Sequence, residues 1–228
     1  MKATDCCKAL GPLAPVALLL LAGCSAEEPS APRPDPGALV RAAADGDADR
    51  VKQLLEAGAS PDVADEDGRT AVTHAAYGGH ADVVRLLLEQ GADVDRQDAT
   101  RANPLLSTGE TGYVDVLDEV LRAEPDLGRT NRFGGTALIP AADRGHVAIV
   151  RRLLETDIDV DHVNDLGWTA LLEAVILGDG GAVHTEIVRL LLDAGADPAI
   201  ADREGVTPLQ HARAAGYEEI ARLLARAS

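Results

Sequence analysis

The chain has 228 residues, a formal net charge of −17, and aromatics at only 2% of its residues. That acidic balance speaks against nucleic-acid recognition, which needs a basic stripe, and it is a poor match to anionic lipid. The three cysteines, Cys6, Cys7 and Cys24, all lie in the first 24 residues, so the rest of the chain holds neither a disulfide framework nor a cysteine-ligated metal.

In chain order, the first segment reads as an address. Lys2 and Lys8 precede an apolar run from Ala9 to Ala22, broken only by Gly11, Pro12 and Pro15. A run of about 14 residues is too short to cross a hydrocarbon layer of ~30 Å as a helix. A basic start, a short apolar run and small residues make the pattern of an export signal. The run closes with Leu21-Ala22-Gly23-Cys24, which resembles the lipobox of bacterial lipoproteins. The resemblance implies a signal peptide over residues 1–23, cleavage before Cys24, and lipidation of that cysteine. The implied location is the cell envelope. Ser25, where aspartate would signal inner-membrane retention, implies the periplasmic side of the outer membrane, or the outer face of the plasma membrane in an organism without an outer membrane. The membrane is then touched through the lipid anchor only. Ser25 to Pro36 is polar and Pro-rich, an extended tether spanning at most roughly 3.1 Å per residue. Residues 24–37 are thus expected to be the lipidated cysteine and its linker, with the repeat domain over 38–228.

A marker then recurs every 33 residues at Thr70, Asn103, Thr136 and Thr169, with Thr207 following after 38. A fixed period of this size predicts a stacked array of supersecondary units. The units fall at about 37–66, 67–99, 100–132, 133–165, 166–203 and 204–228. The five markers fit helix N-caps, and Pro104 and Pro208 follow in the first turn, where a missing N–H does no harm. Leu39, Val72, Leu105, Leu138, Leu171 and Leu209 fill one buried slot of the first helix. Ala42, Ala75, Ala141, Ala174 and Ala212 let neighbouring helices approach. Gly46, Gly79, Gly112, Gly145 and Gly216 serve the turn between helices, and Gly58, Gly91 and Gly195 serve the C-cap of the second helix.

Asp67-Gly68-Arg69-Thr70-Ala71-Val72-Thr73-His74-Ala75-Ala76, closed by Gly91-Ala92-Asp93, and Gly205-Val206-Thr207-Pro208-Leu209-Gln210 resemble ankyrin repeats, and the resemblance covers residues 37–228. It implies an all-α ankyrin-repeat solenoid of about six helix-turn-helix units with short β-hairpin fingers. It also implies binding of proteins through the fingertip loops and the exposed side of the first helix. The family's histidine after Thr-Pro-Leu is missing. Its slot holds Val40, Thr73, Leu106, Ile139, Leu172 and Gln210. Units three and four place Glu124 and Asp157 where the closing glycine belongs, and unit three replaces paired alanines with Thr108 and Gly109. Glycine inside a helix costs roughly 1 kcal/mol relative to alanine, so unit three is expected to be the softest part of the stack.

Unit five carries five extra residues, placed by register at Gly178-Asp179-Gly180-Gly181-Ala182 between its helices. They form either a plain loop extension or a partner-contact loop. The tract lacks the strand before it and the lysine after it that a phosphate loop requires.

No catalytic constellation emerges. His80, His146 and His184 fill one turn slot, and His74 and His211 share another slot four units apart. At roughly 10 Å per unit, the last two cannot share a metal. The expectation is a protein that is not an enzyme and has no cofactor, metal or nucleic-acid ligand. Its partners would be one or more proteins. Aromatic and arginine side chains are the preferred interface anchors. The candidates on the expected binding side are Tyr77, Arg101, Arg132, Phe133, Asp143, Arg144, Trp168 and Asp179. Phe133 and Trp168 either anchor a partner or pack the hairpins together, while Tyr113 and Tyr217 take the turn-histidine slot. The sequence therefore points to an envelope-tethered scaffold for protein–protein interaction. The alternative is an inhibitor or immunity-type protein that covers and neutralises one enzyme or toxin.

Overall fold

The structure is a computed structural model and describes residues 35–227. The signal segment, Cys24 and the linker as far as residue 34 lie outside the described residues. Residues 33–228 form a compact unit of their own, and no described helix is long and apolar enough to cross a membrane.

Twelve described helices form the six expected pairs: α1 (Pro36–Ala44) with α2 (Ala48–Glu56), α3 (Ala71–Gly78) with α4 (Ala81–Glu89), α5 (Pro104–Thr111) with α6 (Val114–Arg122), α7 (Leu138–Asp143) with α8 (Val147–Leu153), α9 (Ala170–Ile176) with α10 (Ala182–Asp193), and α11 (Pro208–Ala215) with α12 (Glu218–Ala227). First helices pack against first helices and second against second, so each unit touches only its neighbours. The predicted slots form the core. Leu39, Val72, Leu105, Leu138 and Leu171 are at most 1% exposed, and the five small alanines are buried with them. Leu209, in the terminal unit, is only partly covered. Gly79 (φ 76°) and Gly91 (φ 85°) take the left-handed conformations their turns require.

The solenoid begins earlier than the expected domain boundary at residue 38. Asp35 caps α1 by accepting from the Gly37 N–H (3.1 Å) and from Arg41 (2.8 Å), and Pro36 is the first helical residue.

Three local expectations are corrected. The fingers are not β-hairpins: among the described residues the only pairing of this kind is one isolated antiparallel bridge between Ala64 and Thr70. Tight turns close the fingers instead. Second, Ala182 is not part of the inter-helix loop. It opens α10, which has 12 residues against nine in α4, so the insertion divides between a short loop and an extra helical turn. Third, Thr136 does not cap its helix. Thr70, Asn103, Thr169 and Thr207 each accept from the N–H three residues on, and their carbonyls accept from the N–H four residues on. In unit four that fourth residue is Pro140, which has no N–H. The Thr136 carbonyl takes the Ile139 N–H instead (3.3 Å). Its hydroxyl is left buried without a partner, and α7 starts at Leu138 with only six residues.

Side chains tie consecutive units together. Nε2–H of His80, His146 and His184 donates to the carbonyls of Ala44 (3.1 Å), Glu110 (3.2 Å) and Asp143 (3.0 Å) in the preceding unit. The Tyr217 hydroxyl does the same to Gly178 (2.9 Å). Backbone N–H groups of Asp93, Asp126 and Asp197 donate to the carboxylates of Asp62, Asp95 and Asp161 at 2.7–3.0 Å.

Candidate functional site

Every complete finger is organised by one Asp or Asn: Asp65, Asp98, Asn131, Asn164 and Asp202. Its side-chain oxygen accepts from the N–H groups two and four residues on, as Asn131 does from Phe133 (2.9 Å) and Gly135 (3.0 Å) and Asn164 from Leu166 (2.9 Å) and Trp168 (3.0 Å). Its backbone closes the same loop. Asn131 donates to the Gly135 carbonyl (2.9 Å) and accepts from Gly134 (3.0 Å). An Asx turn of this kind lets a side chain stand in for a missing ladder partner, which is why the fingers hold their shape without strands.

In units two, five and six the first-helix side chain nine residues after the organiser bonds to it. His74 pairs with Asp65 (2.7 Å) and His211 with Asp202 (2.6 Å). In unit five the roles are exchanged: Asn164 Nδ2 donates to Glu173 (2.8 Å). In unit three Ser107 turns to the Pro104 carbonyl (2.7 Å), and Asp98 takes Arg69 of the preceding finger (2.8 Å). These differences set the electrostatics. Burial works against the Asp65 anion, yet His74 and the N–H groups of Arg69 and Asp67 hold its carboxyl below the usual range. Asp202 is lowered chiefly by the Val206 N–H, with His211 adding to it. Glu173 goes the other way. Burial, reinforced by Asp143 and only partly offset by Asn164, pushes its pKa up to about 7.

Two depressions lie side by side on the finger and first-helix face. One, of about 180 Å³, has Arg69, Tyr77, Glu110, Arg132 and Phe133 in its wall. The other, of about 220 Å³, has Glu110, Phe133, Asp143, Arg144, Leu166, Glu173 and Leu177. Glu110, Asn131 and Phe133 belong to both, so the two meet around Phe133. In the first, the Arg69 guanidinium stands 4.9 Å above the Tyr77 ring, and the Tyr77 hydroxyl donates to Glu110 (3.0 Å). Burial and the Glu110 charge push the Tyr77 phenol up to about 12. Phe133 is 53% exposed, with the Arg132 guanidinium 4.8 Å from its ring centre. Its carbonyl receives the Asp165 N–H of the next finger (2.9 Å).

Of the residues singled out from sequence, Tyr77, Arg132, Phe133, Asp143 and Arg144 come together in these walls. The other three lie elsewhere. Arg101 adopts φ 62° and donates to the Thr130 hydroxyl (2.7 Å), so it braces the next finger. Trp168 is part-buried, its backbone closes the unit-five finger, and it lines neither depression. Asp179 sits in the inter-helix loop, accepting from the Gly181 N–H (2.8 Å) and paired with His184 (3.0 Å). Glu110, Glu173, Leu166 and Leu177 were not anticipated. Glu173 does share a register position with His74 and His211, and that equivalence is the sequence signal that marks it.

The chain matches the family model described as ankyrin repeats (3 copies) over residues 5–98, 39–131 and 105–202. It matches that described as ankyrin repeats (many copies) over residues 182–225. A stretch of 51 residues is 53% identical to YahD of Escherichia coli strain K12, itself named for ankyrin repeats; the match spans 22% of this chain and only 25% of that relative's length. Among solved structures, an ankyrin repeat domain from Acinetobacter baumannii AYE is similar with a TM-score of 0.81 at 48% identity, covering 85% of this chain and 98% of that one. The ankyrin repeat protein EF0377 is similar with a TM-score of 0.81 at 38% identity, covering 84% and 98%.

Proposed function

Because the chain belongs to the ankyrin-repeat family, we propose that it is a non-catalytic scaffold for protein–protein interaction, tethered to the cell envelope by lipid on Cys24. It engages its partner through the finger and first-helix side of units two to five. The observation that carries the binding reading is the continuous groove around Phe133. There an exposed aromatic ring, stacked arginines and half-exposed leucines adjoin on the one face where the fingers and first helices meet. Large exposed aromatic and arginine side chains clustered in this way are typical interface anchors. The envelope reading rests on Lys2, Lys8, the apolar run and Leu21-Ala22-Gly23-Cys24.

Two experiments test the reading. Cys24→Ala in the full chain is expected to leave unprocessed precursor and abolish fatty-acid labelling; labelling that persists in the variant removes the anchor. A pull-down from envelope extract with residues 33–228 is expected to recover a partner that is lost on changing Phe133. The inhibitor reading is favoured by the acidic side chains in the groove, which suit a basic active site. Assaying the recovered partner separates the two: a scaffold leaves its activity intact, an inhibitor abolishes it.

A further inference from the structure

We propose that the depression between units three, four and five is a receptor for one cationic side chain, an arginine or lysine that the partner polypeptide presents between apolar residues. The proposal rests on the protein-binding reading above and specifies the chemistry of what is bound.

The wall contains three carboxylates, Glu110, Asp143 and Glu173, against one base, Arg144. Among the described residues none of the three carboxylates is in an ion pair, although ten Arg–carboxylate pairs form elsewhere. Glu173 is the deepest, at 6% exposure, and its one hydrogen-bond partner is the neutral Asn164. A carboxylate this buried without a cation is electrostatically uncompensated. Burial and the Asp143 charge raise its pKa to about 7, the direction expected of a carboxylate without a counter-charge.

The remaining features narrow the occupant. Phe133, Leu166 and Leu177 stand at the same depression and are 53%, 49% and 50% exposed. Such a rim suits the methylene stem of arginine or lysine while the charged head descends to the acids. A volume of about 220 Å³ is below the roughly 300–1,000 Å³ of ordinary small-molecule sites, and fits one long side chain. No three acidic, histidine or cysteine groups among the described residues are placed to hold a metal ion, which favours an organic cation.

The test uses residues 33–228 and two blocked tripeptides, acetyl-Leu-Arg-Leu-amide and its citrulline counterpart, which has nearly the same shape but no charge. Binding is followed by NMR shifts. The arginine peptide should titrate saturably, with shifts centred on Phe133, Leu166, Glu173 and Leu177, and the citrulline peptide should not. Glu173→Gln keeps the acceptor for Asn164 and so the local fold; it should weaken the arginine peptide by about tenfold or more, as removal of one member of a desolvated charge pair does. Leu177→Arg, an exposed position, should fill the pocket from within and abolish binding. Equal binding of the two peptides overturns the proposal. So do shifts scattered over the acidic surface and indifferent to Glu173→Gln, or no saturable binding at all. Comparing pull-downs by wild type and Leu177→Arg keeps the two readings apart. A partner recovered equally by both sinks the pocket and leaves the scaffold, whereas saturable peptide binding with no recoverable partner sinks the scaffold alone.

Discussion

The carbonyl oxygen of Ala137 occupies the space a side chain on Gly109 would need: a Cβ at Gly109 would lie 2.3 Å from it and 3.1 Å from Pro140 Cγ. The glycine in the middle of α5 is therefore the counterpart of the late, proline-shifted start of α7. Helix propensity alone favours Gly109→Ala by roughly 1 kcal/mol. Backbone cannot withdraw as a flexible side chain would, and forcing a methyl into a packed interface typically costs about 1–3 kcal/mol. We expect Gly109→Ala to lower the urea midpoint, and Pro140→Ala in that background to restore part of it. A midpoint that rises in the single variant would show that the interface relaxes freely.

Unit three gathers more than this one feature. Both described non-glycine residues with positive φ, Arg101 (62°) and Glu124 (52°), lie in it, and the Asn103 side-chain amide N–H groups are buried without an acceptor. Arg101→Gly and Glu124→Gly should each stabilise by about 0.5–1 kcal/mol, since glycine adopts that region without strain. The Arg101 variant should gain less, because it loses the bond to Thr130. Native-state hydrogen exchange should show residues 100–132 opening at lower free energy than residues 67–99. Equal protection of the two spans would refute the soft unit.

Stability should have a component that weakens as pH rises. Glu173, moved from 4.5 to about 7, keeps its proton in the folded chain across a window in which the unfolded chain has released it. The folded state binds more protons there, so stability falls between about pH 4.5 and about pH 7. Asp65, Asp98 and Asp202, all lowered from 3.8, act oppositely. Their contribution is complete above that value and is lost as pH falls below it. Urea unfolding of wild type and Glu173→Gln at about pH 5 and about pH 7.5 isolates the first term. Wild type should lose ground to the variant on going up in pH, and a pH-independent difference would place the Glu173 carboxyl in ordinary solvent.

Phe133 and Trp168, treated alike from sequence, are expected to part company. Phe133 is half exposed, so Phe133→Ala should move stability by no more than about 0.5 kcal/mol. It should cost ~2 kcal/mol or more of partner binding, roughly 30-fold. Trp168→Ala should melt early and bind normally once folded, because it removes a part-buried indole and the residue lines neither depression. Melting and affinity measured on both variants decide the matter; the reverse pattern would move the binding face toward unit five and the loop around Asp179.

The architecture was legible because a fixed period assigns every position a role: once Thr70 and Gly79 are placed, Leu105, Ala141 and Gly145 follow by addition. What escaped depended on neighbours rather than register. The loss of the Thr136 cap comes from a proline four residues away. The start of α10 depends on Ala182-Val183-His184 coiling as helix, which a residue count cannot reveal. The groove was half legible. Tyr77, Arg132 and Phe133 stand out in a chain with five aromatics, but Glu110 and Glu173 are two among 38 acidic residues. Only packing shows which carboxyl is out of water.

The ties between units have a bearing on how such a chain changes length. His80 reaches Ala44, Tyr77 reaches Glu110, and Asp93 reaches Asp62, each in the adjacent unit. A block of 33 residues copied in tandem within the array would create one new seam, at which the histidine-to-carbonyl and backbone-to-aspartate ties recur by register. Unequal recombination can therefore add or delete one whole unit in a single genetic event, widening or narrowing the groove without redesigning any fingertip.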